Sequence, residues 1–269
     1  MKYKPSDHTF AVCAYGESPY LEECIRSLEK QRRKGKIIIC TSTPNAYIEA
    51  IAERHHLHMY INKGPAGIAH DWNYAFLAAD TPLLTLAHQD DIYEPDYLLT
   101  MLRKINKSHD PQISFSDYYE IRNGKRVRNG SNLNLLVKKA ALMPLRLPFL
   151  QNVRFVKRMI LAFCDPICCP SVLYVKKNLP VPLFETQFLA DLDWQAWEKI
   201  SRQSGSFVYV PSVLMGHRIH SESTTSKVIG SKDSRSGEDI EMYKKFWPSG
   251  IAHLLNRLYA YSQRSNKLK

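Results

Sequence analysis

The chain has 269 residues, 44% hydrophobic and 23% charged, an ordinary globular composition with enough length for one large domain or a domain plus a small lobe. A net charge of +11 favours anionic partners: nucleotides, nucleic acid or an anionic membrane surface. The opening Met1 to His8 lacks the apolar core of a signal peptide, and no run of about 18 apolar residues is present to span a bilayer.

Phe10 to Tyr15 reads as a first strand, closed by Gly16 and Pro19. Tyr20 to Arg32 follows with Leu21, Cys24, Ile25 and Leu28 at helical spacing. Lys36 to Cys40 is a second strand, and Ala46 to His56 a second helix. A short strand at Met59 to Asn62 leads to a helix at Ala69 to Ala79. Leu83 to Ala87 is an apolar run that ends abruptly in His88-Gln89-Asp90-Asp91. Two acids at the tip of a buried strand lie where open α/β sheets bind ligands. Carboxylates also suit hard divalent ions, and Mg2+ is typically held by one or two of them plus substrate phosphates. This tip is therefore a candidate metal–diphosphate site.

Further on, Pro95 to Ile105 is helical and Ile113 to Tyr119 extended, with a hairpin-like turn at Arg122-Asn123-Gly124-Lys125. From Ser131 to Phe163 the chain carries Lys138, Lys139, Arg146, Arg154, Lys157 and Arg158 and no acid. Such a stretch is either a basic amphipathic surface for an anionic membrane or a helical lobe with its basic face in water. Ser171 to Val175 and Phe207 to Val210 are strands, and Leu189 to Ser201, Asp239 to Phe246 and Ile251 to Gln263 helices. Thr224 to Ser236 has loop composition, and Ser262 to Lys269 that of a frayed tail. Alternation of strands and helices implies an α/β fold with a mostly parallel central sheet flanked by helices and a helical, basic C-terminal portion. None of the six cysteines has zinc-finger spacing, so all six read as reduced, packed thiols of a cytoplasmic protein.

The order of these signatures resembles family 2 glycosyltransferases of GT-A fold, over nearly residues 8–225. Tyr15, Glu17 and Tyr20-Leu21-Glu22-Glu23-Cys24 resemble the family's opening. Gly67-Ile68-Ala69-His70-Asp71-Trp72-Asn73 resembles its "G-x-x-x-A-R-N" helix start, and His88-Gln89-Asp90-Asp91 its "D-x-D-D" metal motif. Pro170-Ser171-Val172 is similar to the acceptor-side strand, Ala190-Asp191-Leu192-Asp193 to the "E-D-x-D" catalytic segment, and Arg218-Ile219-His220 to the "Y-R-x-H" ending. The departures are Thr41-Ser42 where base-contacting acids are usual, Trp72 for Arg, His88 for the first Asp, and Ala190 for Glu.

The resemblance implies transfer of a sugar from a nucleoside-diphosphate sugar, most simply a UDP-sugar, to a hydroxyl of a saccharide or lipid-linked saccharide. It implies inversion and a setting in bacterial surface or capsular polysaccharide synthesis, with the protein cytoplasmic or peripheral at the inner membrane face. The cofactor would be a divalent cation, Mn2+ or Mg2+, held by Asp90 with His220 and His88. His88 reads alternatively, and by preference, as a strand-end histidine bonded to backbone, and Asp91 as a turn or N-cap acid. Asp191 matches the general base. Asp193 reads as a capping acid or an acceptor contact. Ala14, Tyr15, Glu17, Thr41, Ser42, Asp71, Asn73, Gln89, Asp90 and Arg218 form the donor-binding set, with Arg218 offering a fork to phosphate. Asp71 reads alternatively as an N-cap, and Trp194, Trp197 and Tyr209 as a sugar platform or as core. Ser221 to Lys227 reads as a donor lid or a surface loop. Residues 1–130 would form the donor half, 131–225 the acceptor half with the base, and 226–269 a helical tail. Two other classes stay open. One is a non-catalytic sugar-nucleotide-binding relative. The other is a nucleic-acid-binding protein, disfavoured by the absence of RNP-type, C2H2 and helix-turn-helix patterns.

Overall fold

The computed structural model describes residues 2–127, 133–220 and 232–263. The suggested lid at 221–227 lies outside them, as do most of the 224–236 stretch and the last six residues of the tail.

Four strands open the fold: His8–Ala14 (β1), Lys36–Thr41 (β2), His58–Ile61 (β3) and Leu83–His88 (β4). They pair in parallel in the order β3-β2-β1-β4. The crossovers are Leu21–Glu29 (α1), Ala46–Arg54 (α2) and Ile68–Ala78 (α3). Successive side chains of β1 serve opposite faces. Phe10, Val12 and Ala14 join the core cluster under α1 and α2, whereas Ala11 joins the cluster under α3. Burial on both faces explains why these strands read as continuous apolar runs.

The second half makes the sheet mixed. Ile92–Tyr93 (β5) and Tyr97–Ile105 (α4) precede Pro111–Arg122 (β6) and Lys125–Arg126 (β7). The β6–β7 turn places Asn123 and Gly124 at φ of 51° and 72°, the paired left-handed geometry that suits a two-residue hairpin. Val172–Val175 (β8) inserts between β4 and β6, antiparallel to both. Ser206–Ile219 (β9) then runs parallel to β6 and antiparallel to β5. Only its first part reads as a strand in sequence, because Pro211 interrupts it. Proline has no N–H for a ladder. The register jumps from Ser116↔Val210 to Asp117↔Val213, so Pro211 and Ser212 are bulged out and pairing resumes beyond them. That continuation carries His217, Arg218 and Ile219 to the tip of β4.

Leu133–Leu142 (α5), Arg154–Leu161 (α6), Leu192–Ser201 (α7), Lys232–Lys244 (α8) and Ser249–Gln263 (α9) complete the fold. Trp194 and Trp197 of α7 are fully buried and Tyr209 nearly so; they are core, not a sugar platform. All six cysteines are free thiols. Among the described residues no helix is long and apolar enough to cross a membrane.

Candidate active site

The parallel register sets Ala14 beside Thr41 and His88 beside Cys13, at the carboxyl ends of β1, β2 and β4. Tyr15 emerges there, 64% exposed, with Glu17 exposed beyond it. Gln89 clasps the Tyr15 backbone in both directions: it accepts from Tyr15 N at 2.9 Å and donates to Tyr15 O at 3.1 Å. Its amide therefore ties β4 to β1 rather than pointing at a ligand. Ala14 and Thr41 are buried, and the Thr41 hydroxyl accepts from Thr43 N to close the turn after β2. The Ser42 hydroxyl donates to Asp71 Oδ2, and Asn62 Nδ2 donates to Asp71 Oδ1, both at 2.8 Å. Gly67, not Asp71, is the N-cap of α3. Asp71 thus gathers the ends of β2 and β3 into a polar floor beside Tyr15.

Asn73 has a different task from the one expected. Its Oδ1 accepts from Leu183 N and Phe184 N, and its Nδ2 donates to Phe184 O. The amide is consumed by a loop 110 residues away and braces it.

The acidic tip divides its two carboxylates between the two faces of β9. Alternation puts Arg218 and His220 on one side and His217 on the other. Asp90 Oδ2 lies 2.9 Å from His220 Nε2, and the Asp90 carbonyl accepts from Arg218 Nε. Asp91, fully buried, accepts from Arg218 N at 2.8 Å and from His217 Nδ1 at 3.1 Å. Burial alone would lower the His217 pKa, but the Asp91 charge and hydrogen bond, with help from Asp90, raise it to about 9. Burial pushes the Asp90 carboxyl up, yet the His220 hydrogen bond and the charges of His88, His217 and His220 hold it below the usual range. Asp91 is therefore a brace for β9 and not an N-cap. Arg218 is also corrected. It is 7% exposed, its guanidinium stacks 4.3 Å above the Tyr20 ring, and Nη2 pairs with Glu23 at 2.7 Å. It locks the tip of β4 and is not an open fork.

His88 lies against Trp72, ring centroids 4.9 Å apart and nearly parallel, and Trp72 in turn meets Phe184 edge-on. The two departures from the family pattern are thus in contact with each other. His88 Nε2 is buried with no hydrogen-bond partner among the described residues, and burial lowers the pKa of the ring. One donor atom each from His88, Asp90 and Asp91 lie within 4.8 Å of one another. A buried imidazole nitrogen lacking a partner, beside a carboxylate, suits a divalent cation that accepts mixed nitrogen and oxygen donors. His88 and Asp90 would hold it, since Asp91 is committed to β9.

Asp191 occupies the N-cap position of α7 and is 4% exposed. The Glu238 carboxylate of α8 accepts from the backbone N–H groups of Leu189, Ala190 and Asp191, at 2.8 to 3.1 Å. Asp193, in the first turn, is hydrogen-bonded to Asp165. Burial and then the Asp193 charge push the Asp165 carboxyl well above the usual range. The Asp193 charge also reaches His88. His217, Asp165, Glu23 and Glu238 are absent from the sequence-derived set. Of these, only His217 had a local signal: continuing the β9 alternation past the proline.

The family model for glycosyl transferase family 2 matches residues 9–164. A search of curated proteins by sequence finds no match. Among solved structures, Staphylococcus aureus TarS 1-349 in complex with UDP is 14% identical, with 100% of this chain and 76% of that one covered and a TM-score of 0.62. The mannosyltransferase PcManGT from Pyrobaculum calidifontis, in complex with GDP-Man and Mn2+, is 14% identical over 98% of this chain and 72% of that one, TM-score 0.61. Glucosyl-3-phosphoglycerate synthase from Mycobacterium tuberculosis, with Mn2+, UDP and phosphoglyceric acid, is 13% identical over 90% and 79%, TM-score 0.60. With over half its length matched and this fold in common, the chain belongs to glycosyl transferase family 2 and has the GT-A fold.

Proposed function

We propose that the protein is an inverting glycosyltransferase that moves a sugar from a UDP-sugar to a hydroxyl of a saccharide or lipid-linked saccharide in bacterial surface polysaccharide synthesis. The observation that carries this reading is the cation-competent pair His88 and Asp90, set at the strand ends beside the Ser42–Asp71–Asn62 floor. Residues 1–130 would bind the donor, and 131–225 would present the acceptor. Bound UDP in TarS and in the synthase supports the choice of base, and bound Mn2+ in PcManGT and the synthase supports the choice of ion.

A bound divalent ion would supply Lewis-acid stabilisation of the departing diphosphate. The chain does the rest. Exposed Tyr15 offers a stacking face to the nucleotide base, and Asp71 and Ser42 offer polar contacts to base or ribose. Asp191 takes the proton of the acceptor hydroxyl as that oxygen attacks the anomeric carbon opposite the diphosphate, which inverts the centre. A second reading makes Asp193 the base, favoured by its hydrogen bond to Asp165 and by its charge reaching His88.

Two measurements test this. A thermal-shift screen of UDP, GDP, CDP and dTDP, each with Mn2+, Mg2+ or EDTA, should give a metal-dependent rise with UDP. No rise with any nucleotide would sink the donor assignment. Asp191→Asn should abolish transfer while leaving that rise intact; normal turnover in it, with loss in Asp193→Asn, would move the base to Asp193.

A further inference from the structure

Between residues 136 and 163 a row of apolar side chains is exposed, while Lys157 and Arg158 turn inward. Lys157 is fully buried, its Nζ donating to Gln112 Oε1, Gln203 O and Gly205 O at 2.7 to 2.9 Å. Arg158 is held by Glu198 and by the Lys245 carbonyl. These inward cations fix α6 to the sheet and turn its other side outward. Phe155 and Met159 lie one turn apart along that side, Phe155 73% exposed, and Phe163 is exposed just beyond the helix. The short 3-10 turns just before α6 continue the face with Met143, Leu147 and Phe149, the last 72% exposed. Arg146 and Arg154 are exposed among them, and no acid occurs between 131 and 163.

We infer that this face is a docking surface for an anionic phospholipid bilayer, into which Phe149 and Phe155 insert while Arg146 and Arg154 meet lipid phosphates. A row of exposed aromatic and methionine side chains flanked by arginines is the chemistry of an interfacial helix. Exposed aromatic side chains in such numbers mark an interaction site on a soluble surface. A second copy of the chain fits worse. A two-fold contact through this patch would set Arg146 and Arg154 against the same face of the partner, which has no acid to neutralise them. The inference rests on surface chemistry and does not depend on the donor-site reading. If both hold, the docked face ends two residues before Asp165, at the acceptor wall.

The test is sedimentation of the full chain with sucrose-loaded vesicles of phosphatidylcholine alone or mixed with phosphatidylglycerol. The protein should pellet with the mixed vesicles, and Phe149→Ser/Phe155→Ser should lower the partition coefficient by roughly tenfold or more. Arg154→Glu should lower it independently. Leu77→Ser, which removes an exposed apolar residue outside the stripe, should not. Thermal melting and the UDP-dependent shift check that each variant is folded. Absence of pelleting overturns the inference, as does equal pelleting with phosphatidylcholine alone or pelleting unchanged in the double variant. Sedimentation velocity without lipid covers the alternative: a dimer abolished by the double variant would reassign the face to self-association.

Discussion

The adjacent acids Asp90 and Asp91 should separate on mutation, one affecting stability and the other binding. Asp91 has no exposed surface and holds both the His217 imidazolium and the Arg218 backbone N–H. Asp91→Asn keeps the shape but removes the charge, which leaves His217 without its counter-ion. Breaking one side of a buried ion pair costs about 3–5 kcal/mol. His217 retains 29% side-chain exposure, so water offsets part of this, and the lower end, about 3 kcal/mol, applies. For a chain of this size that corresponds to roughly 6–12 °C in melting temperature. Asp90 and His220 form a pair exposed by about a fifth on each side, and the Arg218 bond to residue 90 goes to its carbonyl, which survives substitution. Asp90→Asn should therefore cost about 1 kcal/mol or less, yet lose the Mn2+-dependent stabilisation by UDP. Thermal melts of both variants at neutral pH, with and without UDP and Mn2+, read both effects. An Asp91→Asn protein that melts within about 3 °C of wild type but no longer responds to UDP and Mn2+ would refute the reasoning and make Asp91 the cation ligand.

Other outcomes follow from the same contacts. Lys157→Met strands two buried acceptors and one part-buried one and should destabilise by about 3–5 kcal/mol in urea unfolding; a change under 1 kcal/mol would mean that the α6 tether is immaterial. Asn73→Ala should loosen the Leu183–Phe184 loop, seen as faster amide exchange there, with UDP affinity unchanged; a selective loss of UDP affinity would return Asn73 to the donor set. His8 is fully buried, and burial lowers its pKa from 6.5 to about 3. Its contribution is complete above pH 6.5 and declines as pH falls toward 3, by about 2 kcal/mol at pH 5; urea midpoints of His8→Leu should be flatter between pH 7 and 5 than those of wild type. His88→Asp should shift the metal preference for UDP binding from Mn2+ toward Mg2+, since it exchanges a nitrogen donor for oxygen; identical metal profiles would remove His88 from the site.

The first half of the fold was legible because its strands are buried on both faces and its helices keep a helical period. β1 and β4 could be read as apolar runs, and the position of His88 to Asp91 at a strand tip followed. Ser42 and Asp71, named separately, turned out to be hydrogen-bonded to each other. What could not be read were assignments settled by distant partners. Asn73 sits where a ligand contact is plausible, but Leu183 and Phe184 claim its amide. Arg218 has the chemistry of a phosphate fork, but Tyr20 and Glu23 lock it in place. Asp165 follows the apolar stretch without any local pattern, and only folding pairs it with Asp193. Trp72 and His88, sixteen residues apart in sequence, looked like two separate departures. Stacked in the fold, they are one substitution with two halves.

That stack also bears on how the proposed site would hold a cation. In the family pattern the positions of Trp72 and His88 carry an arginine and an aspartate, one charge of each sign. Replacing both removes one positive and one negative charge, so the net charge near the tip of β4 is unchanged while the donor type changes. A tryptophan face supports an imidazole by stacking and leaves its outer nitrogen free, whereas an arginine would repel a cation that this nitrogen would bind. The orphaned Nε2 of His88 follows from this geometry. Asp90, held by His220, then supplies the carboxylate, and β9 supplies the rigidity through Asp91 and Arg218. The strand that sequence reading cut short at Pro211 thus determines where both carboxylates sit, which ties the bulge at residues 211–212 to the chemistry at the tip of β4.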